Sequence, residues 1–341
     1  MRYIVDISPD TLDTLNILIQ KGEYRTVQEF ISTAIQNQIY LSEQPALSII
    51  APTSSQTGPS ESVREPDSKS LLDIRNFQVE TLDESKNVRN GTLSGFWNKF
   101  LPVKITLRVL ANMQHENDAP VLLDMLQENA SVEARKLGQT LVRKERGSGR
   151  KRGDRLFTAL PVKRSGDKSR LRFKSHFVGS LSGGKIDGMP GVLELIHISK
   201  GSDGKDYVSI SERGLSFAGL LNPIIDNNDY NSTLSEEEKA FLVAEIRSRL
   251  PDEYEAIRSV LKLIDEGNAD TKTLLSELKK THPELSHNKL TIFLSGMLNR
   301  LADLGLVTRI FEGLAFKYEV SEKGDSIAYM QNEKTTSLGG I

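Results

Sequence analysis

The sequence predicts a mainly α-helical protein with small β-hairpins, and three observations support this fold class. Apolar residues recur at helical spacing in many segments, as in Leu290, Leu294, Met297 and Leu301. Short strand-like stretches are joined by turn-rich segments, which is typical of hairpins. One segment, Ala51–Ser62, is rich in Pro, Ser, Thr and Gly, and its apolar content is too low for folding.

The first forty residues predict one strand followed by two helices. Met1–Ser8 alternates between two faces, and apolar residues then recur at helical spacing up to Gly22. Thr26 and Glu29 form a capping box for the second helix. A unit of about forty residues is normally too small to bury an adequate core. We therefore expect a homodimer in which the N-terminal strands of two chains pair.

This order resembles the ribbon-helix-helix family of DNA-binding proteins, in the style of Arc, MetJ and CopG, from Met1 to about Ser42. The resemblance implies that the paired strands lie in the major groove and that the second helix begins at a phosphate. It implies groove-facing positions for Arg2 and Ile4 and a phosphate contact at Thr26. Asp6 departs from the pattern, because it places a carboxylate on the same face. A dimerisation module without base contacts is the alternative.

The body of the chain contains a strongly basic tract, Arg135–Lys174. It has 15 Lys or Arg against three acids, a local formal charge of +12. Since the whole chain carries −2, the remainder carries −14. Charge this dense favours an anionic partner, and double-stranded DNA is the leading candidate; a solvated basic face is the alternative. The candidate contacts are Arg143, Lys144, Arg146, Arg150, Lys151, Arg152, Arg155, Arg170, Arg172 and Lys174.

The tract lies within a predicted helix-turn-helix core. A Gly-broken basic loop separates the early helices of this core from the later elements. The predicted helices are Leu101–Met113, Pro120–Leu126, one starting at Ser131, Ser169–Leu181 and one ending at Leu220, and the predicted strands are Val192–Ile198 and Tyr207–Ile210.

The C-terminal third has three apolar-striped helices, which end at Gly267, before Pro283 and at Gly305. Two predicted strands follow, Leu306–Phe311 and Phe316–Val320. This order resembles a winged-helix domain, in which the third helix enters the major groove. The exposed side of that helix offers Lys289 and Arg300 as candidate DNA contacts, with His287, Asn288 and Asn299, but it also carries the acid Asp303. Because acidic residues surround the preceding helices, protein binding by this domain is an alternative.

A short internal sequence repeat supports the same order of elements in the two predicted domains that follow the linker. Ile210–Ala218 aligns without gaps with Val320–Ala328, and each follows a predicted strand and enters a helix. The two segments occupy the same place in their predicted domains, which a duplication of the order of elements explains better than chance does. We therefore predict a ribbon-helix-helix module (1–44), a flexible linker (45–93), a basic winged-helix-like domain (94–228), a winged-helix domain (233–330) and a disordered tail (331–341).

The motifs do not favour an enzyme. His282 and His287 lack the HExxH spacing of a metal-binding helix, and Gly201–Lys205 lacks the phosphate-loop frame. We expect no catalytic residue, cofactor, metal or membrane segment, and a cytoplasmic or nucleoid location. The sequence thus predicts a dimeric DNA-binding protein, a transcriptional regulator. The alternative is an adaptor subunit of a DNA-maintenance or mobile-element defence complex, whose winged helices dock proteins.

Overall fold

A computed structural model of the chain describes residues 71–73, 91–117, 119–162, 168–182, 185–312 and 315–330. The predicted N-terminal module with Arg2, Ile4 and Thr26, most of the predicted linker and the tail at 331–341 lie outside the described residues. All of the described residues belong to the same compact unit of the chain.

The prediction of a mainly α-helical fold with small antiparallel hairpins is confirmed for this part of the chain. The strands are β1 (Val121–Leu122), β2 (Ser180–Ser182), β3 (Lys185–Asp187), β4 (Ile196–Lys200), β5 (Asp206–Ile210), β6 (Val307–Glu312) and β7 (Ala315–Val320). The helices are α1 (Leu101–Asn117), α2 (Leu123–Lys144), α3 (Lys168–Phe173), α4 (Met189–Val192), α5 (Glu212–Gly219), α6 (Pro223–Asn227), α7 (Glu236–Arg249), α8 (Pro251–Asp265), α9 (Thr271–Thr281), α10 (His287–Asp303) and α11 (Glu322–Tyr329).

Helix α1 lies at the centre of the fold. Every residue from Leu101 to Ala111 is buried, as expected for a helix enclosed on all sides. Its neighbours include α2, α5 and β5. Two buried cations on α1, Lys104 and Arg108, form ion pairs with Glu238 of α7 and Asp226 of α6. The central helix is therefore fixed to the C-terminal half of the chain by charged as well as apolar contacts.

A similar order of elements occurs twice, although the first unit contains the additional β2–β3 hairpin. In the first unit, α1 to α5, the short strand β1 pairs with β5 of the β4–β5 hairpin. In the second unit, α8 to α11, Asp270 forms a bridge to Lys317 of β7 in the β6–β7 hairpin. Each hairpin leads directly into a helix, α5 or α11.

The two segments of the sequence repeat, Ile210–Ala218 and Val320–Ala328, have matching local geometry. Ser211 and Ser321 both have φ −81° and ψ 166°, and their side chains accept hydrogen bonds from the Gly214 and Gly324 amides. A Cβ on either glycine would lie only 2.0–2.1 Å from a backbone oxygen, that of Leu195 or Leu306. Gly is therefore required at both positions, because a side chain would collide with the neighbouring backbone.

The predicted helix Ser169–Leu181 was wrong in its second half. After α3 the chain forms a π-helical turn, Lys174–Val178, and Leu181 lies in β2. The β2–β3 hairpin separates this turn from α4, and Gly179 and Gly188 flank it with φ of +116° and +112°. The predicted strand Val192–Ile198 also begins later, at Ile196, because Val192 ends α4. Positive φ at both glycines breaks the helix.

One other expectation was wrong. The predicted helices Pro120–Leu126 and that from Ser131 form one helix, α2, since no Gly or Pro interrupts residues 123–137. Two described residues within the range of the predicted linker, Leu72 and Leu93, are buried in the core. The Leu93 amide donates to Glu253 Oε2 over 2.9 Å. In the part of the chain that the structure describes, no helix is long and apolar enough to cross a bilayer.

Candidate nucleic-acid interface

Exposed cations gather where α2 ends. Arg143 and Lys144 occupy the last turn of the helix, and Arg146 follows in the loop; all three are exposed. The carbonyl groups at a helix C-terminus carry partial negative charge, so positive side chains are favourable there. The Glu145 amide, at the C-cap, makes the last hydrogen bond of the helix, to the Leu141 oxygen over 2.8 Å. These three side chains are exposed members of the predicted site.

The basic loop, residues 145–155, is held in place by its first residue, Glu145. Glu145 Oε1 accepts a hydrogen bond from the Leu156 amide over 2.9 Å and pairs with Arg150 over 3.4 Å. Arg150 also donates to the backbone oxygen of Tyr230 over 2.5 Å. Arg150 is therefore an anchor of the loop, and its guanidinium is already occupied by protein groups.

Arg309 of β6 fixes the same loop to the second unit. Its guanidinium donates to Gly153 O, Asp154 Oδ1 and Asn299 Oδ1, each over 2.7 Å. The Arg309 side chain is 5% exposed. Sequence reasoning missed this residue, because a lone Arg in a strand carries no local signal of a partner more than 150 positions away. Arg309 makes the basic loop and the second unit into one continuous surface.

Three cations of the tract lie over aromatic rings. Lys144 Nζ is 5.4 Å from the ring centroid of Tyr230, and Lys151 Nζ is 4.5 Å from that of Phe311. The guanidinium of Arg155 is 5.7 Å from the ring centroid of Phe157. Such cation–π contacts fix the position of a cation without neutralising its charge. The side chain of Arg152 lies outside the described part of the chain.

The second basic row, on α3 and the turn that follows, is largely paired with one carboxylate. Arg170 and Lys174 both contact Glu128 of α2, and Arg170 Nε donates to Ser131 Oγ over 2.9 Å. The hydrogen bond from Lys174, with the charge of Arg170, holds the pKa of the Glu128 carboxyl below its usual value. Arg172 is exposed. Two of the three predicted contacts in this row therefore face a protein anion.

The prediction of an exposed Arg300 was wrong. Its side chain is fully buried, and it binds Glu253 over 2.8 Å and the backbone oxygen of Trp97 over 2.9 Å. Burial raises the pKa of Glu253, and the charge of Arg300 opposes that rise. Asp303 is buried as well, beside Lys99. Of the two predicted contacts on α10, Lys289 is exposed, because it lies in the first half of the helix, which holds all of the exposed residues of this helix.

Several of the predicted contacts are exposed and can bind a polyanion. They are Arg143, Lys144, Arg146, Lys151, Arg172 and Lys289. Among the described residues, no group of three or more His, Asp and Glu is placed to hold a metal ion. No protein-family model matches the chain, and no curated protein or solved structure matches it either.

Proposed function

We propose that this protein is a non-enzymatic, dimeric DNA-binding protein that acts as a transcriptional regulator. The observation that carries the proposal is the exposed group of Arg143, Lys144 and Arg146, followed by Lys151 on a loop to which Arg309 donates hydrogen bonds at Gly153 and Asp154. Fixed cations bind phosphates at a smaller entropic cost than mobile ones, and each contact releases counterions. Homodimerisation through the N-terminal strand is part of the proposal.

The repeated order of elements supports a winged-helix interpretation of both units. Each unit has a helix, a short strand or bridge, further helices, and then a hairpin. In each unit the short strand or bridge joins the second strand of the hairpin. The second unit has a continuous third helix, α10, whereas the first has the interrupted segment from α3 to α4. Two such units on a dimer would supply several weak contacts, which gain affinity from their effective concentration.

The test is a titration of duplex DNA with the variant Arg143→Glu/Arg146→Glu. Both side chains are exposed, and Arg143 donates a hydrogen bond to the hydroxyl of Thr140 on the same helix. Loss of two phosphate contacts should lower the slope of log affinity against log salt by about 2, and affinity at low salt should fall at least about tenfold.

The matched control is Lys272→Glu/Lys280→Glu on α9, which changes the net charge by the same amount at exposed positions. We expect this control to change duplex affinity less than about twofold. Equal losses in both variants would mean that the total charge of the protein matters and the basic tract does not. Unchanged binding by the first variant would remove the tract from the mechanism.

A second candidate function is that of an adaptor that docks a partner helix. The observation that favours it is an apolar groove of about 610 Å³ between α7 and α11. Ala244 and Val243 line the groove, and Lys239, Arg247 and Lys323 lie around it. Apolar walls with cations nearby suit an amphipathic helix that has acidic flanks.

Crosslinking of the full chain in host cells tests this candidate against the DNA-binding function. Ala244 is exposed in the groove, so Ala244→Glu should remove the partner and leave duplex affinity unchanged. Two results together would favour the adaptor function. The wild type would crosslink to a stable partner that Ala244→Glu does not crosslink to, and the wild type would not bind duplex DNA at low salt. Duplex binding with no partner at the groove would exclude it.

A further inference from the structure

Aromatic side chains from distant parts of the chain meet at the basic loop. Tyr230 lies between α6 and α7, and Phe311 lies near the outer end of β6. Arg150 binds the backbone of Tyr230, and the next residue, Lys151, lies over the ring of Phe311. Neighbouring loop residues therefore contact both aromatic residues. The low overall aromatic content, 6%, hides this local concentration.

Phe311 is one of the large apolar side chains that are exposed in the described part of the chain. It is 42% exposed, and its ring packs against that of Phe316 at a centroid distance of 5.4 Å and an interplanar angle of 71°. This T-shaped contact and the cation of Lys151 hold the ring in place while it stays accessible to solvent. A large ring exposed on a strand end has no role in the core. It is therefore available to a ligand with an apolar, planar surface.

The combination of cations and accessible rings distinguishes between two forms of DNA. Phosphates of a duplex need only the cations, because its bases are stacked on one another. Unpaired bases can stack on aromatic side chains while their phosphates follow the cations, and each stacked base contributes about 1–3 kcal/mol. Exposed aromatic rings beside fixed cations are the arrangement that single strands require.

We propose that Phe311, with Tyr230, Lys144 and Lys151, forms a stacking site for the unpaired bases of single-stranded DNA. The inference rests on the proposed function and specifies its substrate: DNA that exposes single-stranded segments, such as melted duplex. The second unit supplies the ring and the first unit supplies the loop cations. Arg309 keeps the two parts together.

The experiment compares Phe311→Leu and Phe311→Trp in the full chain. Binding of a labelled single strand of about 30 nucleotides, and of its duplex, is measured by fluorescence anisotropy. We expect Phe311→Leu to weaken single-strand binding about 5- to 100-fold, with less than about a twofold effect on the duplex. Phe311→Trp should retain single-strand affinity, and its added indole fluorescence should be quenched when a base stacks on it.

Tyr329 provides a matched control. It is 52% exposed and lies 5.9 Å from the Nζ of Lys262, so it is also an aromatic–cation pair. Its surroundings are acidic: the hydrogen bond to Asp265 and the charges of Asp265, Asp325 and Glu266 raise the pKa of Tyr329 to about 12. Tyr329→Leu should therefore leave both affinities unchanged.

The outcomes separate this inference from the proposed function. Equal loss of single-strand and duplex binding in Phe311→Leu, or no loss at all, overturns the stacking site. An unquenched Phe311→Trp overturns it as well, whatever the stability of the leucine variant. If the wild type binds neither form of DNA at low salt, the proposed function itself fails. If duplex binding depends on Arg143 and Arg146 while single-strand binding does not depend on Phe311, the proposed function holds and the stacking site does not.

Discussion

At the scale of single residues, the fold holds charged groups where water cannot reach them. Lys104 is fully buried and donates to the backbone oxygens of Phe217 and Leu220 over 2.5 and 2.7 Å. Its ion pair with Glu238 spans 2.8 Å. Desolvation nevertheless lowers the pKa of Lys104 to about 8, against the opposing charge of Glu238. The ion pair therefore only partly offsets the cost of burying the ammonium group.

This burial predicts a pH dependence of stability. Between pH 8 and 10.5 the unfolded chain binds a proton on Lys104 that the folded chain has largely lost. The contribution of this group to the free energy of unfolding therefore rises with pH across that window. Lys104→Met should flatten the rise, as measured by urea denaturation at several pH values. Lys136→Met, at a site 61% exposed, should keep the wild-type slope; an unchanged slope in Lys104→Met would contradict the prediction.

Glu128 predicts a gain in DNA affinity. Its carboxylate holds Arg170 and Lys174, and a neutral amide would release both cations toward phosphate. Glu128→Gln should therefore tighten duplex binding about 3- to 10-fold at low salt and steepen its salt dependence. The control is Glu277→Gln, which frees Lys280 on α9 and should change nothing. The same affinity in both variants would mean that the second basic row does not touch DNA.

At the scale of elements, the two hairpin-to-helix junctions are the most constrained points of the fold. Gly214→Ala and Gly324→Ala each place a Cβ against a backbone oxygen at 2.0–2.1 Å, and we expect each to lower the free energy of unfolding by about 2–3 kcal/mol. At Gly219, the last residue of α5, a Cβ meets nothing within 4 Å. Gly219→Ala should stay within about 1 kcal/mol of the wild type in urea denaturation. Similar losses at all three glycines would refute the close-approach explanation.

The sequence predicted elements well where their boundaries are local. Helices α8 to α10 and the β6–β7 hairpin were recognisable because Gly or Pro marks their ends. The interruption between α3 and α4 was not, because it depends on contact between Gly179 and Gly188 in space. The candidate site shows the same limit. The basic tract could be recognised from its charge density. The ion-pair partners of Arg170 and Arg300, which are Glu128 and Glu253, could not, because they lie about 40 positions or more away in the sequence.

At the scale of the described body, the segment before α1 covers the second half of α10. Arg300 binds the backbone oxygens of Ser94 and Trp97, and the Gly95 and Gly296 backbones approach so closely that a Cβ on either would collide. The winged-helix resemblance implies that this helix enters the major groove. Here the exposed residues of the helix, His287 to Lys289, Thr291 and Ser295, all lie in its first half. Any groove contact by the second unit must therefore use that half of the helix or the hairpin.

The same packing predicts a strong dependence of stability on Arg300. Arg300→Met leaves Glu253 buried without its cation, and we expect a loss of about 3–5 kcal/mol. The double variant Glu253→Gln/Arg300→Met removes the orphaned charge and keeps an acceptor for the Leu93 amide. It should therefore be more stable than Arg300→Met alone, by urea denaturation. A double variant less stable than either single one would show that the charges are not the cause.

The glycine pair at the base of the β2–β3 hairpin has a practical consequence. The chain leaves the body at Gly179 and returns at Gly188, and a Cβ on Gly188 would lie 2.5 Å from the Cα of Gly179. Because the two ends of this segment are adjacent in space, residues can be inserted between them at a small cost in loop-closure entropy. That cost is about 0.6 kcal/mol for each doubling of the length of the segment. We therefore expect a tag or dye inserted between Gly179 and Gly188 to leave the positions of α3 and α4 unchanged.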